Sequence, residues 1–393
     1  MEGCRDAKRG AAATAADDLP DDAVVEILSR VPVRSIHRFK CVSKRWRDLI
    51  ADPLHRKRLP QTLEGFFCSD GGGFGWRFIS LPGRSAPPVD PSFSFLTKLP
   101  GIENIKLLGS CNGLLLFEHG RKPDTAPAYA VCNPATGEWV AVPSASCRSP
   151  DPLEERTELI FYPAVSPHFH LVHICYEHVK IEVRAYSSET RVWSDMVSQK
   201  SGWQDGGWKQ WVNGGAMLRS TFRGAFVNGM LHLITFRSEY PWENQIVAVD
   251  IKGKTSRIIP WPDTSSCPLF VGQSQGRLHC MGRLDEWERK CLKWAGLCIW
   301  VLEDYDTGGW VLKHRVSFLK LFGQMSRYVY ERYELAIHPD RNMIFLTELS
   351  NQKLMVYDMD NENLDAFHTL GHNYGSLIPY VPNFLILVLT NEH

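Results

Sequence analysis

The sequence predicts an α + β multidomain protein: three short N-terminal helices, then a large, mostly antiparallel all-β domain with the repeat of a six-bladed propeller. Three observations carry this. Apolar residues between 19 and 50 recur at helical spacing. The helical period fades beyond about residue 62, and short β-branched or aromatic runs then return at a nearly constant interval. At 393 residues the chain has room for a second core far larger than the helical one.

In the first helix Val24, Ile27, Leu28 and Val31 stand at i, i+3, i+4 and i+7, which puts them on one face, with Asp21 or Asp22 as the N-cap. Pro32 has no N–H to donate and blocks the preceding turn, so it starts a second segment, which presents Val33, Ile36 and Phe39. Ser43 caps a third helix with Trp46, Leu49 and Ile50 on one face and Lys44, Arg45, Arg47 and Asp48 in water. Asp52 and Pro53 end it. Helices this short bury little apolar surface, so part of the face is expected to wait for a partner or for the adjoining domain. Periodicity alone leaves open a helical cap that packs only on its own protein.

Leu19-Pro20, Glu26-Ile27-Leu28, Val31-Pro32-Val33, Phe39, Cys41-Val42-Ser43 and Lys44-Arg45-Trp46 resemble the F-box pattern position by position. The resemblance implies binding to the Skp-type adaptor of a cullin-RING (SCF) ubiquitin ligase. It assigns the adaptor-contacting surface to Leu19, Pro20, Ile27, Leu28, Val31, Pro32 and Ile36. Trp46 is placed near that contact and also within the helix packing. The expected division is a disordered leader at 1–16, the F-box at 17–60 and the β domain at 61–393.

Lys plus Arg and Asp plus Glu are equal at 44 each, so charge gives no reason to expect nucleic acid or an anionic membrane as partner. The run Arg56-Lys57-Arg58 reads as a solvated face or junction. Eleven cysteines without CxxC spacing read as reduced, packed thiols, and the N-terminal stretch lacks the apolar core of a signal peptide, so the compartment expected is cytoplasmic or nuclear. Phe384–Leu389 is the greasiest segment but far shorter than the roughly 20 residues a membrane helix needs, so a buried strand is expected there.

The β runs recur in pairs. One member opens on a tight turn: Asn112-Gly113 before Leu114–Phe117, Asn228-Gly229 before Met230–Leu233, and Gln275-Gly276 before Arg277–Cys280. The other ends in a turn and a large apolar residue, as in Asn133–Trp139, Ser188–Trp193 and Asp306–Trp310, with weaker copies at Asp250–Ile258 and Asp358–Leu364. Trp139, Trp193, Ile258, Trp310 and Leu364 are then 54, 65, 52 and 54 residues apart. About four strands per repeat makes a propeller, five of whose blades carry both markers. Phe66–Leu81 and Phe384–Leu389 are expected to pair and complete a sixth, closing the ring. An irregular β-sandwich is the alternative. Ser110–Leu115 and Asn133–Gly137 resemble the F-box-associated domain of the large plant F-box family; the repeats are kelch-like without regular double glycines.

Among His168, His170, His173 and His178, strand alternation splits a would-be metal triad, so rim histidines of a hairpin are expected, with no metal and no cofactor. No GxSxG, HExxH or phosphate loop occurs, and Gly71–Trp76 reads as a flexible turn. Catalysis is therefore assigned to partners and no residue is a catalytic candidate. The longest interval holds Trp203, Trp208 and Trp211, with Tyr240 and Trp242 beyond; exposed aromatic rings anchor interfaces, which makes these the candidate target-binding residues. Packing of the same rings over a blade edge is the rival reading, and Asp285–Trp294 carries the same ambiguity. The function expected is that of a substrate receptor presenting an unknown protein to the ligase. A scaffold or competitor that delivers no substrate, and a propeller enzyme or carbohydrate binder, are the alternatives.

Overall fold

The computed structural model describes residues 19–31, 35–36, 39, 43–52, 55, 58–59, 63–70, 75–82, 89–97, 105–119, 128–145, 155–163, 165–177, 180–194, 216–218, 223–237, 244–251, 256–288, 291–322, 335–348, 352–370 and 374–383. Helix α1 (Asp21–Arg30) begins at Pro20, whose carbonyl accepts from Ala23 and Val24 N–H. Asp21 and Asp22 are therefore first-turn residues rather than the expected cap, where they favour the positive end of the helix. Helix α2 (Lys44–Ala51) is capped as expected: Ser43 accepts from Trp46 N–H, and Asp52 closes the other end. Between them Ser35, Ile36 and Phe39 are helical. Val24, Val25, Leu28, Ile36, Leu49, Ile50 and Leu59 form one core, with Val31, Phe39, Trp46 and Ala135 packed against it.

Behind the helices come β1 (Gly65–Asp70) and β2 (Trp76–Ser80), the short helix α3 (Ser94–Thr97), and the blade β3 (Lys106–Cys111), β4 (Leu114–His119), β5 (Ala128–Asn133), β6 (Glu138–Val142). The next blade is β7 (Glu155–Phe161), β8 (Phe169–Glu177), β9 (Lys180–Ser187), β10 (Val192–Trp193). In the third, β11 (Ala216–Leu218) and β12 (Ala225–Val227) share one edge of β13 (Met230–Arg237), followed by β14 (Asn244–Asp250) and β15 (Ser256–Pro260). The fourth is β16 (Ser266–Ser274), β17 (Arg277–Glu288), β18 (Cys291–Asp304), β19 (Gly309–Ser317). Helix α4 (Phe318–Phe322) leads to β20 (Leu335–Ile337), β21 (Met343–Glu348), β22 (Lys353–Asp358), β23 (Asn363–Thr369). Finally β24 (Tyr374–Tyr380) pairs with β1 in the order β2-β1-β24, so the two ends of the chain build the sixth blade of a six-bladed propeller.

Each of the five spaced markers falls on the outermost strand of its blade, which is why the interval is regular. Apolar clusters fill the six joints between consecutive blades, one joint each. Two joints share a bond: the indole N–H of Trp193 donates to Pro143 O at 2.8 Å, and that of Trp310 to Pro260 O at 3.0 Å. β24 is the strand that pairs with β1; the greasier Phe384–Leu389, expected in the same blade, lies outside the described residues.

Antiparallel order puts first-to-second and third-to-fourth strand turns at one end of every blade. Here these turns are short, with left-handed residues where the sequence placed them: Asn112 and Gly113 (φ 45° and 89°), Asn228 and Gly229, Gln275 and Gly276, then Gly137, Arg191, Gly308 and Glu362. This turn face also meets the helical module, through Ala135 of the β5–β6 turn. The described strand ends that bound 195–215 and 238–243 lie at the opposite, loop face.

Candidate functional site

The helical module offers exposed apolar side chains just before α1 and on it. Pro20 and Ile27 are seven residues apart and so lie about 20° from each other around the helix. Ile27 keeps 46% of its surface exposed and Leu19 keeps 38%, and Pro20 is exposed as well. This corrects the expected ladder. The inward face is Val24, Val25 and Leu28, and Ile27 points away from it. Leu28 and Ile36, expected as contact residues, have no exposed surface and build the module from inside. Val31 is half-buried, and Pro32 lies outside the described residues. Trp46 is half-buried and meets Phe39 edge to face with ring centroids 5.2 Å apart, which gives it a packing role.

Ion pairs fix the orientation of these side chains. Arg45 of α2 donates to Asp21 at 2.6 and 2.9 Å and also to the Leu19 carbonyl. Glu26 accepts from Arg30 at 2.6 Å and from Arg58 at 2.9 Å, and these bonds, Arg30 first, hold its carboxyl below the usual range. Arg58 is thus part of the partly exposed charged face of α1; Arg56 and Lys57 lie outside the described residues. These pairs are exposed, so their contribution is geometric more than energetic.

On the propeller, Trp203, Trp208, Trp211, Tyr240 and Trp242 lie outside the described residues. Asp285–Trp294 is neither a loose connection nor a loop. Asp285–Glu288 pair with Cys291–Trp294 beyond the ends of β16 and β19, so β17 and β18 extend as a two-stranded ribbon for roughly 13 Å past their blade on the loop-face side.

The histidine reading needs one correction. His173 is no rim residue: it is 1% exposed, and its Nδ1 sits 2.9 Å from Thr157 Oγ1 and 3.3 Å from the Tyr129 hydroxyl. Position 173 faces the joint with the preceding blade, a placement that strand alternation cannot foresee. His178 lies outside the described residues. No three His, Cys, Asp or Glu side chains group as metal ligands among the described residues. Burial raises the Cys111 thiol to about 11, pushes Cys132 higher still and holds Cys280 well above the usual thiol range, which suppresses the thiolate a nucleophile needs. Among the described residues no helix is long and apolar enough to cross a membrane.

The motif Ser110–Leu115 proves to be a hub. Ser110 Oγ donates to the Pro379 carbonyl of the closing blade, Asn112 Nδ2 donates to Phe161 O at 2.7 Å in the next blade, and Leu114 and Leu115 enter the joints on either side. Sequence reasoning found the turn but not the three-blade bond pattern, because the partners are remote in the chain.

Residues 17–58 match the F-box domain family, and residues 91–378 match the family described as F-box protein At3g26010-like, beta-propeller. The putative F-box protein At5g42430 of Arabidopsis thaliana is 26% identical over 309 residues, covering 75% of this chain and 71% of the relative. F-box protein At1g47340 of the same plant is 24% identical over 326 residues, covering 74% and 62%. The putative F-box/kelch-repeat protein At1g15680, also from Arabidopsis thaliana, is 24% identical over 392 residues, covering 92% and 86%.

Proposed function

The chain belongs to the F-box proteins with an At3g26010-like β-propeller, and from this we propose that it is the substrate-recognition subunit of an SCF (cullin-RING) ubiquitin ligase. The F-box at 17–60 binds a Skp-type adaptor, and the β domain at 61–393 binds the protein to be ubiquitinated. The observation that carries the reading is that Leu19 and Pro20, just before α1, and Ile27 on it are all left exposed inside the matched F-box. A monomer gains nothing from exposing these side chains, and an adaptor gives them a place to bury.

In this reading Leu19, Pro20, Ile27, Val31 and Pro32 touch the adaptor, whereas Leu28, Ile36 and Trp46 hold the module that presents them. Its contribution to ubiquitin transfer is proximity, with catalysis supplied by the ligase. Target binding is assigned to the loop face, where the connections bearing Trp203, Trp208, Trp211 and Trp242 and the β17–β18 ribbon all emerge. Support comes from strand direction: the described strand ends that bound these connections are at the end of the ring opposite the F-box, so both partners can bind at once.

Adaptor capture by the full chain tests the first half. Leu19-Pro20→Ala-Ala and, separately, Ile27→Asp should each weaken capture at least thirtyfold, the scale of an anchor worth about 2 kcal/mol, with melting unchanged. Leu28→Ala should instead lower stability by about 2 to 5 kcal/mol. Full capture by both surface variants would refute the docking assignment. Changing Trp203, Trp208 and Trp211 to alanine should remove target capture from a stable protein; lost stability would mean the rings pack on a blade.

A further inference from the structure

Among the described residues each blade has one outermost strand, and β19 differs from the other five. It runs nine residues, against five in β2, β6 and β15, two in β10 and seven in β23. One side of it pairs with β18 and the other with no strand, so N–H and C=O groups face outward along about 30 Å of rim. Length matters because an added strand gains main-chain bonds with every residue it can match.

The same edge carries exposed apolar side chains. Of the eight large apolar residues left exposed among those described, Val311 and Leu312 are on β19 and Leu319 follows it in α4. Lys313 and Arg315 are exposed too, and neither has an ion-pair partner among the described residues. Lys313 is the extra residue of a bulge, since Leu312 and His314 face the consecutive residues Trp300 and Ile299. A second copy of β19 laid on this edge would bring like charges together, whereas an acidic strand would meet opposite charge there. The strand ends at Ser317, paired with Gly296, where the β17–β18 ribbon leaves the blade on the loop-face side.

We propose that the outer edge of β19 receives an extended acidic segment of the target protein as an added strand. Main-chain bonds hold the segment, Val311 and Leu312 cover its apolar side chains, and Lys313 and Arg315 pair with its carboxylates. The inference deepens the target-binding half of the ligase reading and rests on it. The rim position leaves the F-box free for the adaptor.

Panning a displayed library of random twelve-residue peptides against the full chain tests it. Recovered peptides should be rich in aspartate and glutamate, and one synthesised from the set should slow hydrogen–deuterium exchange along β19. Lys313→Glu and Arg315→Glu combined should weaken that peptide at least tenfold and leave the melting temperature unchanged, since both side chains are exposed. Methylating the peptide's backbone nitrogens at alternate residues, tried in both phases, should abolish binding in one of them. Recovery of no peptide that protects β19 overturns the proposal. So does binding that survives the charge reversal, or that survives methylation in both phases and so needs only a charged patch. A dimer of the parent chain that Leu312→Asp dissolves would overturn it as well, by giving the edge to a second copy. Adaptor capture is measured alongside: a failed edge with capture retained strikes this inference and leaves the ligase reading standing, whereas capture indifferent to the Leu19-Pro20 and Ile27 variants strikes that reading.

Discussion

His232 shows how a single side chain acquires a property from its joint. It has no exposed surface; Nδ1 lies 3.1 Å from Ala225 O, and Nε2 lies 2.9 Å from the Tyr305 hydroxyl in the next blade. Burial disfavours the charged ring and lowers its pKa to about 4 from 6.5. Below pH 6.5 the unfolded chain takes up a proton that the folded chain refuses, so folding loses stability progressively down to about pH 4. The loss amounts to roughly 3 kcal/mol at most. Denaturant melts at pH 7, 6 and 5 should show the decline, and His232→Gln, which does not titrate, should make the curve shallower. An unchanged slope would mean that other groups govern acid sensitivity; His279 is one, its pKa also lowered chiefly by burial.

Among the elements, the outermost strands do more than fill the blade edge. Trp193 and Trp310 stand on two of them, and each reaches back across a joint to a proline carbonyl at the end of the preceding blade, at Pro143 and Pro260. Proline has no N–H but a strong acceptor, and the indole N–H satisfies it where no ladder continues. Trp310→Phe should cost about 1 kcal/mol through the lost bond, with some further loss of packing. Trp193→Phe should behave alike. The two bonds share no partner, so the double variant should lose the sum of the two singles in chemical denaturation. A loss far above the sum would mean that the joints unfold as one unit.

For the whole molecule, closure depends on pairing residues more than 300 positions apart, such as Phe67 with Ile378. The helical module enters and the C-terminal strand leaves on the same turn face, opposite the loop face. Truncation before Tyr374 should strip β1 of its partner, expose a row of unpaired N–H and C=O groups and produce aggregation. Stopping after Asn383 leaves β24 in place and should keep the protein soluble and the ring intact. Size-exclusion chromatography of the two truncations separates the outcomes; a monomeric, folded chain lacking β24 would show that the ring holds without its closing strand.

The repeat, the turns and the cap of α2 were legible in the sequence because each is a local requirement. Asn-Gly and Gln-Gly must supply positive φ, Ser43 must satisfy a helix N–H, and the large residues at 139, 193, 258, 310 and 364 mark one strand per blade. The side to which an apolar residue turns was decided only by tertiary contact. Spacing put Ile27 with Val24 and Leu28, yet packing against Leu49 and Ile50 took Val25 inward and left Ile27 outside. Alternation put His173 on a rim, and the neighbouring blade buried it. The register that closes the ring is held by Tyr374–Tyr380 against β1, a segment no local signal marked; the greasier run after it lies outside the described residues. Periodicity reports that a residue will be buried; what it is buried against depends on parts of the chain far away in sequence, and only the closed ring brings them together.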